Sequence, residues 1–133
     1  MSTDYTRVLA AVDFAHENTT VINRAVEIAQ RYQAELTLLH VVEDAALYQG
    51  EDPEFFDAIS MQKELVERAT LQMNAVRARV AVPGVKTRIE KGVPKQEIVR
   101  VADDEKAELI VIGSHGRHGF QLLLGSTANG VLH

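Results

Sequence analysis

The chain has 133 residues and a formal net charge of −5, which suits a single domain large enough to bury a core without cross-links. It contains no cysteine, so disulfides, thiolate metal sites and a cysteine nucleophile are excluded. The 14 lysines and arginines are scattered, which argues against a nucleic-acid-binding face. No signal-peptide pattern opens the chain, and no apolar run approaches the roughly 20 residues of a membrane span. We therefore expect one cytoplasmic domain over residues 1–133 that contacts neither nucleic acid nor a membrane.

The first third of the chain alternates short apolar runs with an amphipathic segment. Residues 8–12 are apolar and too few for a helix, which is typical of a strand covered on both faces. Apolar residues then recur at three- and four-residue spacing over residues 18–32 and predict a helix with Asn18 or Thr19 as its N-cap. Residues 36–42 form a second apolar run and predict a second buried strand, followed by a polar loop.

The middle of the chain predicts a long helix and a half-exposed strand. Helical spacing continues over residues 54–81, and Pro83 and Gly84 end the helix. Apolar and charged side chains alternate over residues 85–90. That period of two indicates a strand with one exposed face, toward the edge of a sheet.

The last third predicts a helix, a strand and a glycine-rich segment. Pro94 suits the first position of a helix because that position needs no N–H partner. Residues 109–112 are the most strand-like run in the chain, and a glycine-rich loop over residues 113–119 follows. We expect a last helix to begin near Gly125.

This order of elements predicts an α/β fold with an open parallel sheet, right-handed crossovers and helices on both faces. In such sheets ligands bind beyond the carboxyl ends of the strands, near the point where the strand order reverses. Asp13 closes the first predicted strand, and Gly113 closes the fourth. Both residues are therefore candidates for a ligand site.

The glycine-rich segment has the chemistry of an anion site. Glycines let the backbone approach an anion closely and turn successive N–H groups to one side. Gly125, Ser126 and Thr127 open the last predicted helix, whose free N–H groups and dipole attract anions. Arg117 adds a positive charge from the loop. A glycine-rich turn with an ordinary serine cap would give the same pattern, and neither a Walker P-loop nor a dinucleotide fingerprint is present.

These residues resemble the universal stress protein family over essentially the whole chain. The resemblance rests on residues 7–14 with their terminal Asp13, on 38–42, on the turn 92–94, and on the signature 104–119 continued by 122–127. It implies a Rossmann-like fold of the adenine-nucleotide-hydrolase type, a homodimer, and binding of ATP with Mg²⁺, or of ADP or AMP. Relatives continue into a further strand that pairs across a dimer interface. We therefore expect the chain to lack its C-terminal strand and to leave the edge beside the fourth strand exposed.

The resemblance also assigns roles to single residues. Asp13 would face the ribose or a metal-bound water, and Val41 would offer backbone groups to the adenine edge. Gly113 and Gly116 would line the ribose and phosphates. The β- and γ-phosphates would be held by Gly125, Ser126 and Thr127.

Two departures from the family pattern keep other functions open. ATP-binding members carry Gly-x2-Gly-x9-Gly-Ser/Thr, whereas eight residues separate Gly116 from Gly125 here. Ala11 and Val12 stand where the family often has Pro or Ser/Thr. The shorter loop favours a second hypothesis, a regulatory or interaction protein on the same scaffold that binds no nucleotide. An adenylate-forming or nucleotidyl-transfer enzyme is disfavoured because residues 13–17 lack the motifs of those classes.

The remaining polar residues suggest no chemistry. No residue is clearly placed to activate water, so we predict no catalytic residue and at most slow ATP hydrolysis. No cysteine or nearby carboxylate accompanies His115 and His118, so no metal site is predicted. His40 is expected to be a core histidine bonded to a neighbour. Four acidic residues are expected to form a solvated helix end rather than a catalytic pair: Asp103, Asp104, Glu105 and Glu108.

Overall fold

The computed structural model describes residues 5–14, 19–48, 57–113 and 120–124. Its helices and strands, in chain order, are β1 Arg7–Ala11, α1 Thr19–Tyr32, β2 Glu35–Val42, α2 Ala58–Arg79, β3 Lys86–Lys91, α3 Pro94–Glu105, β4 Leu109–Gly113 and β5 Phe120–Leu124. A short 3₁₀ turn, Ala45–Tyr48, lies between β2 and α2. The strands form one sheet in the order β3-β2-β1-β4-β5.

Strands β1 to β4 are parallel, as the sequence predicts. β1 lies between β2 and β4 and pairs with both, with Ala11 opposite Leu39 and Ala10 opposite Val111. β3 pairs only with β2 and lies at one edge of the sheet. Its alternating pattern therefore gives the predicted edge strand.

Helices cover both faces of the sheet, which confirms the predicted architecture. α1 and α2 pack on one face, where alternate residues of the strands, such as Leu38 and Val111, are buried. α3 packs on the other face, against Leu9, Leu39 and Ile110. Because side chains alternate along a strand, a residue's position in each strand fixes the helix layer that it contacts.

Capping residues and a proline set the ends of α2 and α3. Asp57 caps α2 by accepting a hydrogen bond from the Ser60 backbone N–H at 3.1 Å, so the helix is shorter than the predicted 54–81 within the described residues. Pro94 occupies the first turn of α3 as predicted, and Lys106 ends that helix in the left-handed conformation. In the described ranges, no helix combines the length and the apolar character needed to cross a membrane.

Residues 120–124 form a fifth strand that the sequence does not predict. β5 pairs antiparallel with β4, with Phe120 opposite Gly113 and Leu124 opposite Leu109. The expectation of an exposed edge beside the fourth strand is therefore wrong, because the backbone of β5 covers that edge. The predicted helix from Gly125 lies outside the described residues.

Candidate functional site

The strand order reverses between β1 and β4. The chain reaches β2 from β1 through α1 on one face, whereas it reaches β4 from β3 through α3 on the opposite face. The two connections diverge at this point, which is where open α/β sheets bind their ligands. Extending the observed register by two residues places Val12 level with Gly113 and Asp13 level with Val41.

Three of the predicted site residues therefore lie at one edge of the sheet. Asp13 follows β1, Val41 is near the end of β2, and Gly113 is the last residue of β4. The structure brings these three together at the carboxyl ends of neighbouring strands. The other five predicted site residues lie outside the described residues: Gly116, Arg117, Gly125, Ser126 and Thr127.

An apolar surface lies on the α3 face near this edge. Val41 and Ile112 are partly buried and pack, together with Ile98 of α3, against the core cluster on that face. Asp13 is half-buried. It lies four residues after Leu9, which packs under α3, and alternation along the strand therefore places both residues on the same side of the sheet. A carboxylate beside an apolar wall suits a ligand that carries both a flat apolar ring and hydroxyl groups.

Gly113 allows the end of β4 to lie close to the start of α1. A Cβ atom built on Gly113 would lie 3.4 Å from Cγ2 of Val21, the third residue of α1. A larger side chain would press on the first turn of the helix. The first N–H groups of a helix have no intrahelical partner and attract anions. The close approach therefore places the anion-attracting end of α1 beside the end of β4.

A histidine from β2 contacts the residues on either side of Asp13. His40 Nδ1 lies 2.6 Å from the Val12 carbonyl oxygen, and because a carbonyl can only accept, Nδ1 donates. The Val12 N–H donates to the Leu39 carbonyl at 2.7 Å. The rings of Phe14 and His40 are 4.4 Å apart between centroids.

The prediction that His40 is bonded to a neighbour is confirmed, although His40 is only partly buried. The sequence does not identify the neighbour as Val12, the residue before Asp13. The predicted pairing of the first two strands brings His40 to the end of β1 but does not specify this bond.

The acidic residues near the end of α3 form ion pairs and hydrogen bonds with neighbouring elements. Asp103 is exposed, as expected, whereas Glu105 is only 19% exposed and forms ion pairs with Lys86 and Arg88. Glu108 accepts hydrogen bonds from the backbone N–H groups of Thr6 and Arg7. These bonds, the one from Thr6 first, hold the pKa of Glu108 below its usual range. No group of three histidine, aspartate or glutamate side chains in the described part of the chain could hold a metal ion.

Four parallel strands with helices on both faces and a reversal of strand order between β1 and β4 define a Rossmann-like α/β protein. A model of the Universal stress protein family matches residues 4–133. Universal stress protein A homolog 1 of Coxiella burnetii is 32% identical over 129 residues, which cover 97% of this chain and 90% of that protein. The chain belongs to the universal stress protein family.

Solved structures show the same fold. Universal stress protein UspA from Lactobacillus plantarum is 30% identical, with a TM-score of 0.68 over 98% of this chain and 92% of that one. A universal stress protein crystallised in complex with cAMP is 21% identical, with a TM-score of 0.56 over 87% of this chain and 78% of that one. At that identity the second likeness shows the fold alone.

Proposed function

We propose that this universal stress protein binds an adenine nucleotide, ATP with Mg²⁺, at the reversal point between β1 and β4. The observation that carries the proposal is the convergence of Asp13, Val41 and Gly113 at the carboxyl ends of three adjacent strands. A carboxylate can accept hydrogen bonds from ribose hydroxyls or from water bound to Mg²⁺, and oxygen ligands are those that Mg²⁺ prefers. The chemistry of Asp13 therefore fits a Mg²⁺-nucleotide.

The adenine would lie at the open end of β2. The ladder between β1 and β2 ends at Ala11 and Leu39, so Val41 lies two residues beyond it. An adenine edge at this position would use the backbone of Val41 next to Asp13. The apolar side chains of Val41 and Ile112 would cover one face of the ring, as an apolar pocket with few polar groups does for a flat ligand.

The phosphates would be held by Gly116, Gly125, Ser126 and Thr127, as the family resemblance implies, and Arg117 would add a positive charge. β5 bears on this part of the proposal. Its last residue, Leu124, lies opposite Leu109, about 14 Å along the strand from the end that holds Gly113, at about 3.4 Å per residue. Residues 125–127 could therefore contact a ligand at Asp13 only if the chain after Leu124 runs back to the edge of the sheet that holds Gly113.

This course of β5 favours a second candidate function, that of an interaction protein on the same scaffold without a nucleotide. In that case the glycine-rich segment would serve only as a turn, and partners would bind elsewhere on the domain. The two functions differ in whether the purified protein takes up ATP at all.

Isothermal titration of the protein with Mg-ATP tests the proposal. We expect saturable binding by the parent protein and a loss of about tenfold or more in affinity for Asp13→Asn, because charge-assisted hydrogen bonds are worth about 1.5–3 kcal/mol. Asp103→Asn, which removes an exposed carboxylate from α3, is the matched control and is expected to bind like the parent. An absence of heat with the parent protein would favour the interaction protein.

Variants of the second half of the glycine pattern separate the two parts of the site. Gly125→Val and Ser126→Ala are expected to lower the affinity for ATP more than the affinity for AMP, because of these two nucleotides only ATP carries β- and γ-phosphates. If both variants bind ATP like the parent while Asp13→Asn does not, the site is formed by the edge of the sheet without residues 125–126. Titrations with ADP and cAMP then rank the nucleotides.

The proposal includes a homodimer in the cytoplasm, with ATP hydrolysis slow at most. β5 is an edge strand, and an edge strand rich in leucine is a natural place for pairing between two copies. Light scattering coupled to gel filtration measures the mass in solution. A dimer mass that falls to the monomer in Leu123→Lys would support pairing through β5, and a monomeric parent would exclude the dimer.

A further inference from the structure

We propose that His40 is a positioning residue that fixes the backbone of Asp13 for ligand binding, an inference that rests on the proposed function. β1 ends at Ala11, two residues before Asp13. The segment that carries the carboxylate therefore lies beyond the regular ladder of the sheet and depends on other contacts for its position.

β2 supplies contacts to the residues on both sides of Asp13. The Val12 N–H donates to Leu39 at 2.7 Å, and the Val12 carbonyl accepts from His40 Nδ1 at 2.6 Å. Phe14 packs its ring on the His40 imidazole, with 4.4 Å between centroids and 37° between planes. One side chain thus contacts both neighbours of Asp13 in the chain.

His40 acts on the opposite side of the sheet from the proposed ligand. His40 lies two residues after Leu38 and so faces the same side of the sheet, under α1 and α2. Asp13 and Val41 face the opposite side, as Leu9 and Leu39 do, which are buried under α3. His40 therefore does not reach a ligand on the α3 face, and its effect passes through its contacts with Val12 and Phe14.

Two substitutions separate the hydrogen bond from the packing. In His40→Asn, the side-chain amide nitrogen occupies nearly the place of Nδ1 and can donate to Val12. In His40→Phe, an aromatic ring remains against Phe14 but the donor is lost. Circular dichroism and thermal denaturation check that each variant is folded.

The first measurement needs no ligand. We expect His40→Phe to raise the hydrogen-exchange rate of the Val12 amide, which donates to Leu39, by about tenfold, which corresponds to the net worth of about one hydrogen bond. Amides within β2, such as that of Leu38, should keep their rates, and His40→Asn should keep the Val12 rate near that of the parent. Unchanged exchange at Val12 in His40→Phe would overturn the inference whether or not the protein binds nucleotide.

The second measurement is a double-mutant cycle on Mg-ATP affinity with Asp13→Asn. We expect His40→Phe to weaken binding by about tenfold in the parent and to have no further effect in Asp13→Asn. An equal loss in both backgrounds would show that His40 supports the fold in general and would refute the positioning role. Asp13→Asn binding like the parent would refute the proposed role of Asp13 itself, which distinguishes failure of the site from failure of the inference.

Discussion

At the scale of single residues, two glycines with positive φ have different surroundings. Gly92, which precedes α3, has a φ of 147°, and a Cβ atom built on it would lie 3.0 Å from Cγ of Glu97. Gly84 has a φ of 70° and no heavy atom within 4 Å of such a Cβ. The first conformation is almost confined to glycine, whereas the second is the left-handed region that other residues enter at a modest cost.

We therefore expect Gly92→Ala to lower the free energy of unfolding by about 2–3 kcal/mol and Gly84→Ala by only about 1 kcal/mol. Urea denaturation of the two variants measures the difference. Equal losses would contradict the prediction, because both the φ of Gly92 and the approach of Glu97 should make its substitution the more costly of the two.

The sequence predicts part of the site at this scale and misses part. Asp13, Val41 and Gly113 could be located because each lies near the end of a strand, and the carboxyl ends of parallel strands meet at one edge. The bond from His40 to Val12 could not be located, because it depends on the exact register and on the side-chain conformation. The bonds from Thr6 and Arg7 to Glu108 join residues about a hundred positions apart, which no local pattern reveals.

At the scale of elements, ion pairs join β3 to α3. Arg88 of β3 donates to Glu90 at 2.8 Å and to Glu105 of α3 at 3.0 Å, and its side chain is only 25% exposed. Burial raises the pKa of Glu90, but hydrogen bonds from Arg88 and Arg100 outweigh that effect, so the pKa lies below its ordinary value. The hydrogen bond from Lys86, and then that from Arg88, likewise lower the pKa of Glu105.

We expect Arg88→Met to lower the free energy of unfolding by about 1–2 kcal/mol at pH 7, because it removes one of the basic partners of two half-buried carboxylates, and Glu90 then keeps Arg100 and Glu105 keeps Lys86. Both carboxyls have lowered pKa values in the folded state. Their stabilisation is therefore complete above the ordinary value of 4.5 and is lost as the pH falls through the lower folded-state pKa. Urea denaturation between pH 7 and pH 3 should show Arg88→Met converging on the parent at the acidic end.

Arg68→Met is the matched control for this prediction. Arg68 and Glu64 of α2 are 3.6 Å apart, and their side chains are 66% and 70% exposed, so the pair is screened by water and contributes within about 0.5 kcal/mol. A difference between Arg88→Met and the parent that stayed constant down to pH 3 would assign the loss to packing of the arginine stem instead of its charge.

The type and order of most elements could be predicted because helical and alternating periods are distinct over five or more residues. β5 could not. Its sequence, Phe-Gln-Leu-Leu-Leu, has one polar residue and no clear alternation, so it has neither a helical nor a half-exposed strand pattern. What places it is pairing with the edge of β4, a tertiary contact that local pattern does not encode.

At the scale of the whole molecule, the two helix layers differ in how much apolar surface they bury. The cluster under α1 and α2 contains 17 buried residues among those described, whereas the cluster under α3 contains five. α1 contributes Val21, Ile22, Ala25, Ile28 and Ala29 to its layer, and α3 contributes only Val101 and Ala102. Ion pairs with β3 add to the contacts that hold α3 on the sheet.

This asymmetry predicts that α3 opens before the rest of the domain. Local stability follows the apolar surface that an element buries, so central amides of α3 should exchange with solvent through a partial opening. Those of α1 should exchange near the rate of global unfolding. Native-state hydrogen exchange measured by NMR at low urea concentrations should give α3 rates at least about tenfold faster. Arg88→Met should widen the gap by accelerating α3 and not α1, since it removes a contact that joins α3 to β3. Equal rates in the two helices of the parent would show instead that the domain unfolds as one unit, with α3 as stable as α1 despite its smaller core.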